Sequence, residues 1–160
     1  MNIRLAEERD WPSLWSIIST VIRTGDTYTL EPDASETTAK KYWIDDVLET
    51  WVAEEKGEIV GTYVLRANQR GLGSHVSNVG YMVRPRHAGR GIGMQLGEHS
   101  LANAKEKGFQ AMQFNAVVST NTRAVELWKR LGFAIIGTVP KGFRHQALGM
   151  VDLYIMHRFL

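Results

Sequence analysis

The residues best suited to chemistry form a glycine-rich turn near the middle of the chain. Gly89, Gly91 and Gly93 alternate with other residues, after an apolar stretch and before an amphipathic one. Because glycine has no side chain, several backbone N–H groups can point at one spot at the positive end of a helix dipole. The pattern therefore predicts an anion-binding site, and a phosphate group is the expected ligand.

Three asparagines are the next candidates for a chemical role. Asn78 precedes the turn on a predicted strand, Asn115 lies on the next strand, and Asn121 begins the following helix. A neutral amide both donates and accepts hydrogen bonds, so the set could hold an amine and a carboxylate together. The alternative is structural, because Asn115 could hydrogen-bond main-chain groups of the sheet and Asn121 could cap its helix.

Composition narrows the class of protein. The 160 residues carry a net charge of only +2, which gives no reason to expect a nucleic-acid partner. The absence of cysteine excludes disulfides and thiolate chemistry, and the five histidines lack paired helical spacing, so we expect no metal site. Charged residues within the first ten and the lack of an apolar run of roughly 18 residues argue against a signal peptide and a membrane span. We therefore expect a cytoplasmic protein.

The elements that must position these residues alternate between strand and helix, which predicts a mixed α/β fold. Asp10 is expected to cap the first helix, and Asp33 with Glu36 has capping-box spacing before the second. Neither repeats nor a linker interrupt the pattern, so one domain over residues 1–160 is expected. The predicted strands are 2–6, 51–54, 59–65, 79–85, 111–118, 133–139 and 151–159, with helices over 10–23, 33–47 and 121–131 and one beginning at the glycine turn.

Taken alone, the glycine turn leaves several readings open. A dinucleotide-binding unit would need Gly-x-Gly-x-x-Gly after an early strand and an acidic residue at the end of the next strand. A nucleoside-triphosphate P-loop would need Gly-Lys followed by Ser or Thr, and this is absent. A plain turn between strand and helix remains the structural alternative.

A second segment decides between these readings. The turn over residues 88–93, followed downstream by Asn121 to Phe133 with the order Asn-x-x-Ala-x-x-Leu-Trp-x-x-x-Gly-Phe, resembles the GCN5-related N-acetyltransferase (GNAT) family. The resemblance implies a central, mostly antiparallel sheet of about seven strands, splayed in the middle and flanked by about four helices. It also implies acetyl-CoA as co-substrate, with its pyrophosphate on the glycine turn.

The resemblance assigns acetyl-CoA-binding roles to particular residues. The strand before the turn is expected to bulge and splay, so that free N–H groups of Tyr81, Met82 and Val83 receive the pantetheine and the thioester oxygen. The remaining expected contacts are Gly89, Arg90, Gly91, Ile92, Gly93, Met94, Asn121 and Trp128.

Two positions depart from the family pattern. Ala88 replaces the usual Gln or Arg at the start of the turn, and Arg86 or Arg90 could supply the missing charge. Trp128 replaces a Tyr that in many members protonates the departing thiolate, and an indole N–H is not a usable acid. Catalysis by positioning and by an oxyanion contact, worth about 3 kcal/mol, is therefore expected to matter more than acid catalysis.

A narrower resemblance concerns the acceptor. A closer similarity, to the branch that includes fungal proline-analogue (azetidine-2-carboxylate) N-acetyltransferases, is found in segments 25–28, 73–76, 113–121, 143–145 and 149–152. This resemblance implies a small amine acceptor such as an amino acid or its analogue. Asn78, Asn115 and Asn121 match asparagines of that branch and are the predicted catalytic residues. The loop residues expected to contact the acceptor are Asp26, Tyr28, His75, Arg144 and His145.

The expected activity is direct acetyl transfer in a ternary complex, with an ordered water or a loop histidine as base. A protein or peptide N-acetyltransferase and a non-catalytic acyl-CoA sensor are the alternatives. Dimers are common in the family, which leaves a homodimer open.

Overall fold

The computed structural model describes residues 1–160 and contains one seven-stranded sheet flanked by four helices. The strands lie in the order β1-β2-β3-β4-β5-β7-β6, and every neighbouring pair is antiparallel except β4 and β5. The expected fold is therefore confirmed. The strands are β1 Asn2–Leu5, β2 Glu49–Glu55, β3 Glu58–Ala67, β4 Val76–Val83, β5 Ala111–Val118, β6 Ala134–His145 and β7 Gly149–Phe159.

Two helices cover each face of the sheet. They are α1 Trp11–Ile22 and α2 Glu36–Lys40 on one face, and α3 Ile92–Glu106 and α4 Thr122–Arg130 on the other. On the α1 and α2 face, Leu14, Ile17 and Trp43 are fully buried against Val64 and Met82. None of the helices is long and apolar enough to cross a membrane.

Close packing of α3 on α4 places the two helix starts side by side. A methyl group on Gly93 would meet Leu127, and one on Gly97 would overlap Leu131. The small residues on this face of α3 therefore allow α4 to approach, which brings the Asn121 cap near the glycine turn.

The second predicted helix differs from the structure. The α-helix ends after five residues and continues as one π-helical turn over Lys41–Asp45. Its cap is Ser35, whose hydroxyl accepts from the N–H of Thr38 at 3.1 Å, so the predicted capping box of Asp33 and Glu36 is wrong. The π turn widens the helix and turns Trp43 into the core.

Two other boundaries also differ. Asp10 precedes α1 but makes no capping hydrogen bond, because its carboxylate accepts from Arg4 and from the N–H of Glu7. The predicted end of a strand at residue 139, before Pro140, is wrong, since β6 continues to His145 through a bulge between Val139 and Phe143. An edge strand tolerates proline because one side of its backbone has no partner strand.

Candidate active site

The site begins where the only parallel strand pair in the sheet separates. Strands β4 and β5 pair at Val76 with Ala111 and at Ser77 with Met112, and nowhere beyond. The rest of the two strands diverges and leaves a wedge-shaped opening in the middle of the sheet. The splay that the family resemblance implies is thus present.

Side chains satisfy main-chain groups that the opening exposes. The amide Nδ2 of Asn78 donates to the main-chain oxygen of Gln113 at 2.9 Å, in place of the next ladder bond. Across the opening, the hydroxyl of Tyr28 donates to the main-chain oxygen of Tyr81 at 2.7 Å. Burial raises the pKa of Tyr28 well above its ordinary value, which keeps the phenol protonated as a donor.

The bulge expected in β4, before the glycine turn, is found in β5. β4 pairs with β3 without a register shift from Ser77 to Val83, so the prediction of a bulge before the turn is wrong. The irregularity is in β5, between Phe114 and Val117, where the two residues Asn115 and Ala116 stand against the single residue Ile155 of β7. The extra residue in β5 bends this strand away from β4.

The main-chain direction along β4 corrects one expected contact. Arg84 donates its N–H to Val60, and Val76 accepts from Asn68, both on the β3 side. Main-chain groups alternate along a strand, so Met82 directs its N–H at β3, whereas Tyr81 and Val83 direct theirs at the opening. The assignment of a free Met82 N–H is therefore wrong, although the residue still lines the opening.

A cavity of about 620 Å³ passes through the opening and reaches both faces of the sheet. Its volume lies within the range of roughly 300–1,000 Å³ that is typical of small-molecule sites. On the face of α1 and α2 its wall includes Thr24, Asp26, Thr27, Tyr28 and Tyr42. On the face of α3 and α4 its wall includes Pro85, Ala88, Asn121, Ala124 and Trp128.

All three predicted asparagines line this cavity. Asn78 uses its amide nitrogen on Gln113, which leaves its Oδ1 as a free acceptor. Asn121 accepts from the N–H of Ala124 at 3.2 Å as a helix cap, which leaves its Nδ2 as a free donor. Asn115 is engaged at both ends, with Asn68 and with Gln113. The first two therefore keep hydrogen-bonding capacity for a ligand.

The glycine turn presents its main chain as an anion site requires. None of the six residues from Gly89 to Met94 donates its main-chain N–H group to another atom of the chain. Gly91 is the N-cap of α3 with a φ of 80°, and a methyl group there would meet nothing within 4 Å. Six consecutive free N–H groups at a helix start fit a pyrophosphate.

The arginines around the turn are arranged differently from expectation. Arg90 pairs with Glu55 at 2.6 Å and Arg86 pairs with Glu58, so both side chains are held by the β2–β3 hairpin. In contrast, Arg123 on α4 lies against Gly89. Its Nη2 is 3.0 Å from the position that a Cβ atom would take on Gly89, and the guanidinium has no carboxylate partner. Sequence reasoning missed Arg123 because its closeness to the turn depends on the α3–α4 contact.

Trp128 is part of an aromatic wall. Its ring lies 4.7 Å from that of Tyr81 and 4.9 Å from that of Phe114. The hydroxyl of Tyr81 is 2.6 Å from that of Ser100, and burial raises the pKa of Tyr81, so this phenol also stays protonated. Neither aromatic side chain is suited to exchange a proton near neutral pH.

The structure brings together only two of the five predicted acceptor residues. Asp26 and Tyr28 line the cavity, and Asp26 is the only charged side chain that does so. His75 does not line the cavity, because it lies at the closed end of the wedge, directly before the paired Val76.

Arg144 and His145 also lie outside the cavity wall, at the end of β6. The imidazole of His145 is occupied locally, since its Nδ1 accepts from the N–H groups of Ala147 and Leu148. Neither His75 nor His145 lines the cavity, so a loop histidine as base stays a prediction.

Comparison with known proteins agrees with this geometry. The family described as acetyltransferase (GNAT) matches residues 11–133, which include β4, the glycine turn and α4. The chain belongs to this family. The acyltransferase class expected from the sequence is confirmed at the level of the family.

The relatives of this chain differ in the share of each protein that the match covers. A GCN5-related N-acetyltransferase from Kribbella flavida is 39% identical with a TM-score of 0.94, over 99% of this chain and 97% of that one. N-acetyltransferase aca1 of Schizosaccharomyces pombe is 36% identical over 103 residues, 62% of this chain but only 48% of the yeast protein. The match thus spans about half of the yeast protein.

A third relative shows the fold alone. A phosphinothricin acetyltransferase from Sinorhizobium meliloti, solved in complex with AcCoA, is 20% identical with a TM-score of 0.87. It covers 99% of this chain and 88% of its own.

Proposed function

We propose that this protein is an acetyl-CoA-dependent N-acetyltransferase that acetylates a small amine, an amino acid or a close analogue, by direct attack in a ternary complex. The observation that carries the proposal is the cavity through the splayed sheet. It extends from Pro85 and Ala88, directly before the free N–H groups of the glycine turn, to the polar loop between α1 and α2 on the other face. Two substrates that enter from opposite faces would meet between β4 and β5.

Acetyl-CoA would supply the acetyl group as an activated thioester. The free N–H groups from Gly89 to Met94 would hold its pyrophosphate, and Arg123 would add a positive charge beside them. The open-edge N–H groups of Tyr81 and Val83 would orient the chain of the co-substrate and stabilise negative charge on the thioester oxygen. Trp128 would shield this part of the site from water.

On the other face, the loop between α1 and α2 would form the amine site. The free Oδ1 of Asn78 would accept a hydrogen bond from the amine and orient its lone pair. Asp26 is the one carboxylate of the cavity wall and is therefore the candidate to accept the amine proton, directly or through water. Asn115 and Asn121 complete the polar rim.

The test is release of the CoA thiol by the purified protein with acetyl-CoA and a panel of amino acids, simple amines and short peptides, with products identified by mass spectrometry. We expect thiol release with a small amine, and we expect Asn115→Ala to lower turnover while acetyl-CoA affinity is retained. Faster acetylation of peptides than of free amino acids would favour a peptide N-acetyltransferase. Acetyl-CoA binding without thiol release on any amine would mean an acyl-CoA sensor.

A single acetyltransferase domain over residues 1–160 and the link to the fungal proline-analogue branch are part of this proposal. A cytoplasmic location and a homodimer stay predictions.

A further inference from the structure

Arg66 on β3 is a cation without a counter-ion. Its guanidinium stacks over the ring of Tyr42 at 4.6 Å, and its Nη2 donates weakly to the main-chain oxygen of Tyr42 at 3.3 Å. Its Nε is buried and has no hydrogen-bond partner, and its Nη1 makes no hydrogen bond within the chain. A partly buried guanidinium with free donors is costly unless an anion or water satisfies it.

The position of Arg66 connects it to the proposed amine site. Arg66 lies directly opposite Asn78 in the β3–β4 ladder, and residues directly opposite each other point to the same face of the sheet. That face carries α1 and α2, and both Asn78 and Tyr42 line the cavity there. Arg66 therefore stands immediately behind two residues of the cavity wall.

The charge of Arg66 also acts on Tyr28, a residue of the cavity wall. Burial is the larger influence on Tyr28 and raises its pKa, but Arg66 acts in the opposite direction and favours the ionised phenol. Within the cavity wall itself the only charged side chain is Asp26. No cationic side chain lines the half of the cavity on the α1 and α2 face. An anionic group bound there would therefore depend on Arg66, which lies behind the wall.

We propose that Arg66 binds a carboxylate of the acceptor, so that the substrates of this enzyme are amines that carry a free carboxylate. This inference rests on the proposed N-acetyltransferase function. The carboxylate would lie beside Tyr42 and Asn78 and accept from the guanidinium donors that lack a partner, since the planar guanidinium matches the two oxygens of a carboxylate. Side-chain rotamer changes of the kind this requires are common on binding. Asp26, on the loop after α1, would face the ammonium end of the same molecule.

The test compares matched acceptors. The protein and its Arg66→Gln variant are assayed with acetyl-CoA and each of a series of amino acids, in parallel with the corresponding amino amides. We expect the unchanged protein to prefer the free amino acid. Arg66→Gln should raise the KM for that amino acid about tenfold or more and leave its kcat within about threefold, because a charge-assisted bond away from the reacting atoms is lost. The KM for the matching amide should not change.

Three controls separate this role from a structural one. Arg66→Lys keeps the charge without the planar fork and should recover part of the preference. Arg70→Gln removes an exposed arginine from the following loop and should change neither substrate. The dissociation constant for acetyl-CoA, measured by calorimetry, should be the same in all variants because the glycine turn lies by the opposite face.

Equal effects of Arg66→Gln on the amino acid and its amide would overturn the inference, as would turnover confined to amines without a carboxylate. The second result would leave the proposed N-acetyltransferase intact. Absence of thiol release with every amine would instead refute the proposed function.

Discussion

The side-chain amide of Asn78 occupies the place of a ladder bond to the main-chain oxygen of Gln113, one residue beyond the last parallel pair of β4 and β5. An ordinary ladder would continue at this point with a backbone donor. Because a side chain satisfies the carbonyl instead, the two strands can separate without leaving that acceptor unpaired. Asn78 therefore both ends the pairing and faces the cavity that the separation creates.

Replacing Asn78 should lower stability more than replacing its neighbour across the opening. Asn78→Ala leaves the oxygen of Gln113 without its partner, and we expect a loss of about 1–2 kcal/mol in the free energy of unfolding. Asn115→Ala removes only exposed contacts between side chains and should cost less than about 0.5 kcal/mol. Urea unfolding followed by circular dichroism measures both. Similar losses in the two variants would show that Asn78 does not hold the wedge.

Gly91 and Gly108 provide a matched pair for the glycine turn. They flank the two ends of α3, have φ values of 80° and 86°, and have open space where a side chain would begin. Valine at either position should cost a comparable amount of stability, about 1–2 kcal/mol, because both adopt the left-handed region. Only Gly91→Val should weaken acetyl-CoA binding, by at least tenfold in calorimetry, since its side chain would project into the proposed phosphate site. Equal affinities of the two variants would remove the phosphate assignment.

Trp128 is expected to contribute packing and not proton transfer. Trp128→Phe keeps an aromatic ring against Tyr81 and Phe114, so kcat should stay within about threefold while stability falls by about 1–2 kcal/mol. Trp128→Ala should lose about 3–5 kcal/mol because the residue is 8% exposed and its ring fills the wall. Steady-state kinetics and thermal unfolding provide the two measurements. A loss of turnover in Trp128→Phe with unchanged stability would assign the indole N–H a direct role.

Local signals were sufficient for the part of the site that a single segment builds. The glycine turn, the start of α3 and the Asn121 cap follow from residue types at short spacing, and the structure agrees with each. The same holds for the alternation of strands and helices that predicts the mixed sheet.

Features that depend on the pairing of distant segments could not be predicted from local sequence patterns. Arg66 becomes a neighbour of the cavity only because β3 places it opposite Asn78, and Arg123 reaches Gly89 only because α3 and α4 pack closely. The loop position of His75 predicts a place near the acceptor, whereas the pairing of β4 with β5 puts this residue at the closed end of the wedge. Local composition also misled at Pro140, where an edge strand continues through a turn-like sequence.

The N-terminal ion cluster predicts how stability depends on pH. Arg4 pairs with Asp10 at 2.6 Å and with Glu54 at 2.9 Å, which ties the loop before α1 to β1 and β2. The hydrogen bond from Arg4 lowers the pKa of Asp10 below its ordinary value of 3.8, and the N–H of Glu7 adds to this effect. The unfolded chain therefore binds a proton at higher pH than the native one. The stabilisation is complete above the ordinary value and is lost as the pH falls below it through the native pKa.

Asp10→Asn should remove this dependence. We expect the variant to be about 1–2 kcal/mol less stable than the unchanged protein at pH 7, and the difference to shrink as the pH is lowered below 3.8, because the unchanged protein then loses the same ion pair. Urea unfolding at a series of pH values from neutral to acid measures the two curves. Asp46→Asn breaks an exposed pair with Lys41 and should run parallel to the unchanged protein. A constant difference between Asp10→Asn and the unchanged protein across the acid range would contradict the lowered pKa, since a proton-linked contribution must disappear once both states are protonated.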